Sequence, residues 1–296
     1  MFFTTDSNTK HTDFFTLSHL PFLIGEGETA VFVHSGVIAG LSPPLERLIN
    51  GPMKEAQERS ARFPELLIED FDRICEYAYR GDYSIPASTE FSPAEIEFDL
   101  ESGSDPWGPV RVEGFKDPSD IEEPENETEE DDDEDDDDDE YEMSDAGLSS
   151  YFTEDYPKLG PSCPPSTSIF EPRANGWTQD YTPVLLGHAR LYAFGDQYLI
   201  PGLKGLALAK LHNTLSYYTV WPQSRAAIIE LARYAYNTNH VPNRTEGKMD
   251  SLREMVIRFV VLALELFADF ELHRELLEEE GEYATDLLDV VRACLL

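Results

Sequence analysis

Residues able to do chemistry are scarce in this 296-residue chain, and each candidate has a plainer role beside it. Gly25-x-Gly27-x-x-Ala30 fits the dinucleotide-binding pattern, which needs a helix directly afterwards so that the helix N-terminus can hold a pyrophosphate. Here a strand-like run follows, and Glu26 and Glu28 would face the phosphates. The pattern therefore reads as a hairpin turn. Gly40-Leu41-Ser42-Pro43-Pro44 lacks the second glycine of a nucleophile elbow, and no Gly-x-x-x-x-Gly-Lys-Ser/Thr run is present. The seven histidines (His11, His19, His34, His188, His212, His240, His273) show neither ligand spacing nor a nearby cysteine pair. His34, at a strand-to-helix corner, reads as a satisfied, partly buried histidine. The acidic run lacks the glycine and the helical flanks of an EF-hand loop. Ser119-Asp-Ile-Glu122 and Thr128-Glu-Glu-Asp131 suit an acid-directed kinase, and Asn126 and Asn243 head glycosylation-type triplets. No catalytic, cofactor-binding or metal-ligating set is expected, and the chain does not read as an enzyme.

The elements that would have to position any site come next. An apolar content of 41% supports a packed core. The net charge is −37, and Asp120 to Asp145 holds 19 acidic residues with no basic one, which leaves −18 for the rest. Such a field repels phosphate backbones, so neither nucleic acid nor an anionic membrane is expected as a partner. Cys75, Cys163 and Cys294 form no Cys-x-x-Cys pair, which fits a reducing compartment, cytoplasm or nucleus. The N-terminus lacks the basic segment and apolar core of a secretion signal. Val256 to Phe267, the greasiest run, is interrupted by Arg258 and Glu265 and is too short to span a bilayer.

Phe14 to Ile24 reads as a first strand, Gly25 to Glu28 as its turn, and Thr29 to Val33 as the antiparallel return. Helical spacing follows from Val37 to Leu41. Ser42 and Pro43 then open a second helix, as cap and first-turn proline, with Leu45, Leu48 and Ile49 on its apolar face. Asn50-Gly51-Pro52 ends it. Arg62 to Ile68 reads as a short strand. Glu69-Asp70 starts a helix whose stripe is Phe71, Ile74, Cys75, Ala78 and Tyr79, closed by Gly81.

From Ala87 to Thr182 the chain turns to Pro, Ser, Gly and acid. Neighbouring carboxylates there lie within about 4 Å per residue, inside the roughly 8 Å Debye length, so disorder is expected. Closing so long an excursion costs only about 2 kcal/mol more than a ten-residue loop. Pattern resumes at Leu185, His188, Ala189, Tyr192, Ala193 and Asp196. Pro201-Gly202 breaks the chain before Leu203, Leu206, Ala207, Lys210 and Leu211. Pro222 opens a helix carrying Ile228, Leu231, Ala232 and Ala235. Ser251 and Glu254 read as a capping box for Leu252, Met255, Val256, Phe259, Val260 and Ala263. A last helix, Tyr283 to Leu295, would bury Leu287, Leu288 and Val291.

The order strand, helix, Ser-Pro, helix, then Met53-Lys54-Glu55 resembles the core of the BTB/POZ domain, in its short fungal members. The residues carrying the likeness are His34, Val37-Ile38-Ala39, Ser42-Pro43 and Met53-x-Glu55. EDFDRICEYAYRGDYSIP (69–86) and HARLYAFGDQYLIPGLKGLALAKL (188–211) are similar to later parts of that family's pattern. The resemblance implies an α+β fold, a small mixed sheet flanked by a helical cluster. Residues 14–86 and 183–215 would share that domain, with 87–182 a disordered acidic insertion and 216–296 a mostly helical extension. It also implies a protein-binding module, many of which self-associate and a large subset of which dock on a cullin scaffold to recruit substrates for ubiquitin transfer. Met53 and Glu55 match the hydrophobic-x-Glu triplet of those adaptors. Ser18 is followed by His19, and His34 by Ser35, where the family often carries an aspartate and a basic residue at its dimer seam. A second reading makes the chain an oligomerising scaffold whose Asp120–Asp145 tract attracts basic proteins.

Overall fold

The computed structural model of the protein describes residues 19–51, 60–91, 175–237, 241 and 248–294. Within these the chain mixes α and β structure, with helices predominating. Contacts divide it into two units: Met1–Ile85 with Ala193–Lys204, and Pro86–Tyr192 with Gly205–Leu296.

The first unit is built on a three-stranded sheet. β1 (His19–Ile24) and β2 (Thr29–His34) pair antiparallel, from Ile24 opposite Thr29 to His19 opposite His34. The turn between them holds Gly25 at φ 71° and Glu28 at φ 49°, and Glu28 N–H donates to the Gly25 carbonyl at 3.0 Å. The Gly-x-Gly-x-x-Ala run is thus a hairpin turn, and Ala30 lies in a strand. β3 (Ala61–Phe63) pairs parallel with β1, giving the order β2-β1-β3. It is shorter than the expected 62–68 strand because a turn follows at once, Leu66 N–H donating to the Phe63 carbonyl at 3.3 Å. Residues 14–18 of the expected first strand lie outside the described residues.

Two helices join β2 to β3's side of the fold. α1 (Ser35–Ala39) begins two residues before the expected Val37. α2 (Pro43–Asn50) is capped by Ser42, whose Oγ accepts from Leu45 N–H at 3.4 Å. Leu45 and Ile49 are buried, while Leu48 is half-buried. α3 (Ile68–Arg80) buries Phe71 and Ile74 but leaves Cys75 and Ala78 half-buried and Tyr79 exposed, so the five-residue stripe narrows toward its end. Gly81, at φ 74°, closes the helix by donating its N–H to the Tyr77 carbonyl at 2.8 Å.

The core of this unit is aromatic. Phe22 of β1 packs on Phe71 (5.2 Å between centroids) and Phe63 (6.2 Å), and Phe63 packs in turn on Phe194 (6.0 Å) and Tyr198 (5.7 Å). Phe194 lies in the last turn of α4 (Thr182–Gln197), and Tyr198 in the turn between α4 and α5 (Pro201–Ser216). Pro201 starts α5, and the reversal falls earlier, on Leu199 at φ 53°. Gly195 makes the close approach of these helices workable: a Cβ there would lie 2.7 Å from the Lys204 backbone nitrogen.

The second unit begins with a two-residue ladder, β4 (Thr89–Glu90) antiparallel to β5 (Gln179–Asp180), extended by Phe91 N–H donating to the Thr178 carbonyl at 2.9 Å. Order therefore reaches inside the 87–182 span expected to be disordered, and residues 92–174 lie outside the described residues. Asn175 anchors the returning end. Its Nδ2 donates to the Thr219 carbonyl at 2.9 Å, its Oδ1 accepts from Thr219 N–H at 2.7 Å, and its carbonyl accepts from Trp221 Nε1 at 3.1 Å.

Helices supply the rest. A 3-10 turn (Pro222–Ser224) leads into α6 (Arg225–Tyr236), followed by α7 (Ser251–Leu262), α8 (Leu264–Phe267), α9 (Glu271–Glu279) and α10 (Gly281–Cys294). The expected apolar positions of α6 and α7 are all buried. Asp250, not Ser251, caps α7: its carboxylate accepts from Leu252 N–H at 2.9 Å and from the Tyr192 hydroxyl at 2.8 Å. Glu254, one turn in, pairs with Arg258 at 3.0 Å instead of reaching back to the cap. α6 packs on α7 and α9, and α10 on α7 and α9. Leu287 of α10 is buried, whereas Leu288 is 62% exposed and Val291 half-buried, correcting the expected face. α9 was not legible, because only His273 and Leu276 of its nine residues are buried.

Candidate interaction surface

Met53 and Glu55 lie outside the described residues. Their connection leaves α2 at Gly51, whose N–H donates to the Arg47 carbonyl at 2.9 Å. A Cβ on Gly51 would sit 2.2 Å from that same oxygen, so the exit from α2 depends on glycine. The connection ends where β3 begins, at Ala61.

Among the described residues the best-formed surface for a partner is the outer face of the β1–β2 hairpin. Alternation sends Leu20, Phe22 and Ile24 of β1 into the core. His19, Pro21 and Leu23 therefore point outward, as do the residues directly opposite them, His34, Phe32 and Ala30. Phe32 is 68% exposed. The β1 and β2 side chains of this face carry no fixed formal charge, Arg62 of β3 lies beside Leu23, and among the described residues β2 is the sheet's edge. Uncharged edges are usually guarded by lysine, proline or a bulge, and β2 carries none of these. Covering Phe32 would contribute about 1.5–3 kcal/mol.

One end of the face is polar and ordered. The His19 and His34 rings lie 4.5 Å apart between centroids, and His34 Nδ1 shares a hydrogen bond of 2.6 Å with the Tyr79 hydroxyl. His34 is half-buried with a partner, in agreement with its structural reading. Further exposed apolar side chains in this unit are Leu67, Ile85 and Leu199.

Among the described residues no group of three or more His, Cys, Asp or Glu could hold a metal ion. No described helix is long and apolar enough to cross a membrane. Burial, with Asp72 adding to it, pushes the Cys75 thiol up to about 12, which removes the thiolate needed of a nucleophile. No protein-family model, curated protein or solved structure matches the chain. Its surfaces carry the functional argument alone.

Two features of the sequence escaped motif reasoning. The pairing of His19 with His34 is invisible at fifteen residues' separation, yet counting outward from the Gly25–Glu28 turn fixes it. The second is a buried polar cluster in the second unit. Arg253 is fully buried, donates from Nε to the Ala235 carbonyl at 3.0 Å and pairs with Glu282 at 2.8 Å. Its guanidinium lies 4.7 Å from the centre of the Tyr236 ring. Such an arginine, inside the apolar stripe of α7, breaks the rule that charge faces water.

Proposed function

We propose that the chain is a protein–protein interaction module of BTB/POZ type, acting inside the cell as an adaptor that docks on a cullin ubiquitin-ligase scaffold. It binds partners and performs no reaction of its own. The observation that carries this reading is the membership of Ala193–Lys204 in the unit formed by the first 85 residues. Phe194 and Tyr198 close on Phe63 although the acidic segment separates them in sequence. That return supports an insertion within one fold, not a linker between two. The order of hairpin, two short helices, parallel strand and longer helix further supports it.

In this reading Met53 is a flexible apolar knob and Glu55 a rim charge on the connection between α2 and β3. Pull-down of the full chain with a BTB-binding cullin tests it. Binding at micromolar concentration that Met53→Ala and Glu55→Ala weaken is the expected result; no binding at that concentration rejects the cullin role.

A second reading, an oligomerising scaffold, is favoured by exposed Phe32 on an uncharged edge strand. There the Asp120–Asp145 tract, dense in carboxylates, gathers basic proteins by charge. Partner binding that fades steeply with salt and disappears on deleting 120–145 is its signature.

A further inference from the structure

We propose that His19 and His34 form a two-histidine site for a divalent transition cation of the zinc, nickel or copper class, with Tyr79 orienting His34. The hairpin register sets the two residues directly opposite each other at the open end of β1 and β2, on the outward face. Their ring centroids are 4.5 Å apart with planes inclined at 42°. Imidazole nitrogens bind such ions at about 2.0–2.1 Å, so two nitrogens on one ion lie roughly 3 Å from each other. Rings at the observed separation meet that requirement by side-chain rotation, with the strands unmoved.

The Tyr79 hydroxyl lies 2.6 Å from His34 Nδ1. When the hydroxyl accepts the Nδ1–H of His34, the lone pair on Nε2 is the one left for the ion. This is how metal-ligating histidines are ordinarily steadied, by a second partner on the far nitrogen. α3, which carries Tyr79, thereby fixes one ligand relative to the strand pair. His19 is exposed, so an ion reaches the pair from solvent and water completes its coordination. Borderline metals prefer imidazole, whereas the many carboxylates of this chain prefer magnesium or calcium.

The test uses the full chain and Ni2+ alone as the probe, in excess Mg2+ so that carboxylate sites are occupied. Calorimetry is expected to show one Ni2+ bound per chain. His19→Gln and His34→Gln each weaken it by about tenfold or more, and Tyr79→Phe weakens it less, by several-fold. The melting temperature of the unsubstituted chain rises with Ni2+ and that of His19→Gln does not. His19 is exposed, so its replacement leaves the fold intact even where His34→Gln does not. Binding unchanged in His19→Gln, or abolished by the Mg2+, overturns the proposal.

Discussion

The Tyr236 hydroxyl donates a 2.9 Å hydrogen bond to the Asp286 carboxylate, joining α6 to α10 across fifty residues of sequence. The face of the same ring carries the Arg253 guanidinium, and its neighbour Tyr283 meets it edge-on at 5.1 Å. One tyrosine thus ties three helices through three kinds of contact.

Removing the cation should therefore be costly. Arg253→Ala strands the Ala235 carbonyl, empties space against Tyr236 and is expected to destabilise by about 3 kcal/mol. Glu282 is 52% exposed, so Glu282→Gln should cost under about 1 kcal/mol. Denaturant titration of the two variants checks the asymmetry; equal losses would contradict it.

Acid should act through His273. Its Nδ1 faces the Phe267 carbonyl at 2.9 Å, which can only accept, so Nδ1 carries the proton and Nε2 accepts from the Tyr283 hydroxyl at 2.9 Å. Burial pulls its pKa below the ordinary histidine value, the bond to Phe267 opposing in part. The unfolded chain therefore takes up a proton first. This contribution to stability is intact above about pH 6.5 and shrinks as pH falls through that value toward the lowered folded pKa. Melting curves between pH 7 and 5 should show a steeper loss for the unsubstituted chain than for His273→Gln. Parallel curves would refute the assignment.

Two glycines in the α4–α5 region should respond oppositely to alanine. Gly195→Ala forces a Cβ to 2.7 Å from the Lys204 backbone and is expected to cost about 1–3 kcal/mol. Gly205, inside α5, has open space at that position, so Gly205→Ala should gain about 0.5–1 kcal/mol. Thermal melts of both variants settle the order.

Cys75 should resist alkylation. With its thiol at about 12 instead of the ordinary 9.0, the thiolate fraction at pH 8 falls by about a thousandfold. In a background of Cys163→Ser and Cys294→Ser, iodoacetamide should modify the native chain far more slowly than the urea-unfolded chain.

Local rules made much of this fold legible. The hairpin, the Ser42 cap and the Gly81 stop depend on neighbours within a few residues, and each lies where its residue type requires. Misreadings came where a distant partner decided the outcome. Ser251 has the right type for a cap, but Asp250 also receives the Tyr192 hydroxyl and takes the position. Leu288 and Tyr79 continue helical stripes, yet both stay exposed. Arg253 was unreadable because its partners, Ala235, Val241 and Glu282, come from three other segments. The triplet Met53-x-Glu55, the candidate site of the sequence, falls outside the described residues and gains nothing from the structure.

The β4–β5 ladder has an architectural corollary. Thr89 faces Asp180, so everything from Phe91 to Thr178 departs and re-enters at a single doorway on the second unit. Phe91 and Thr178, one on either side of the acidic stretch in sequence, are therefore held together by the fold itself.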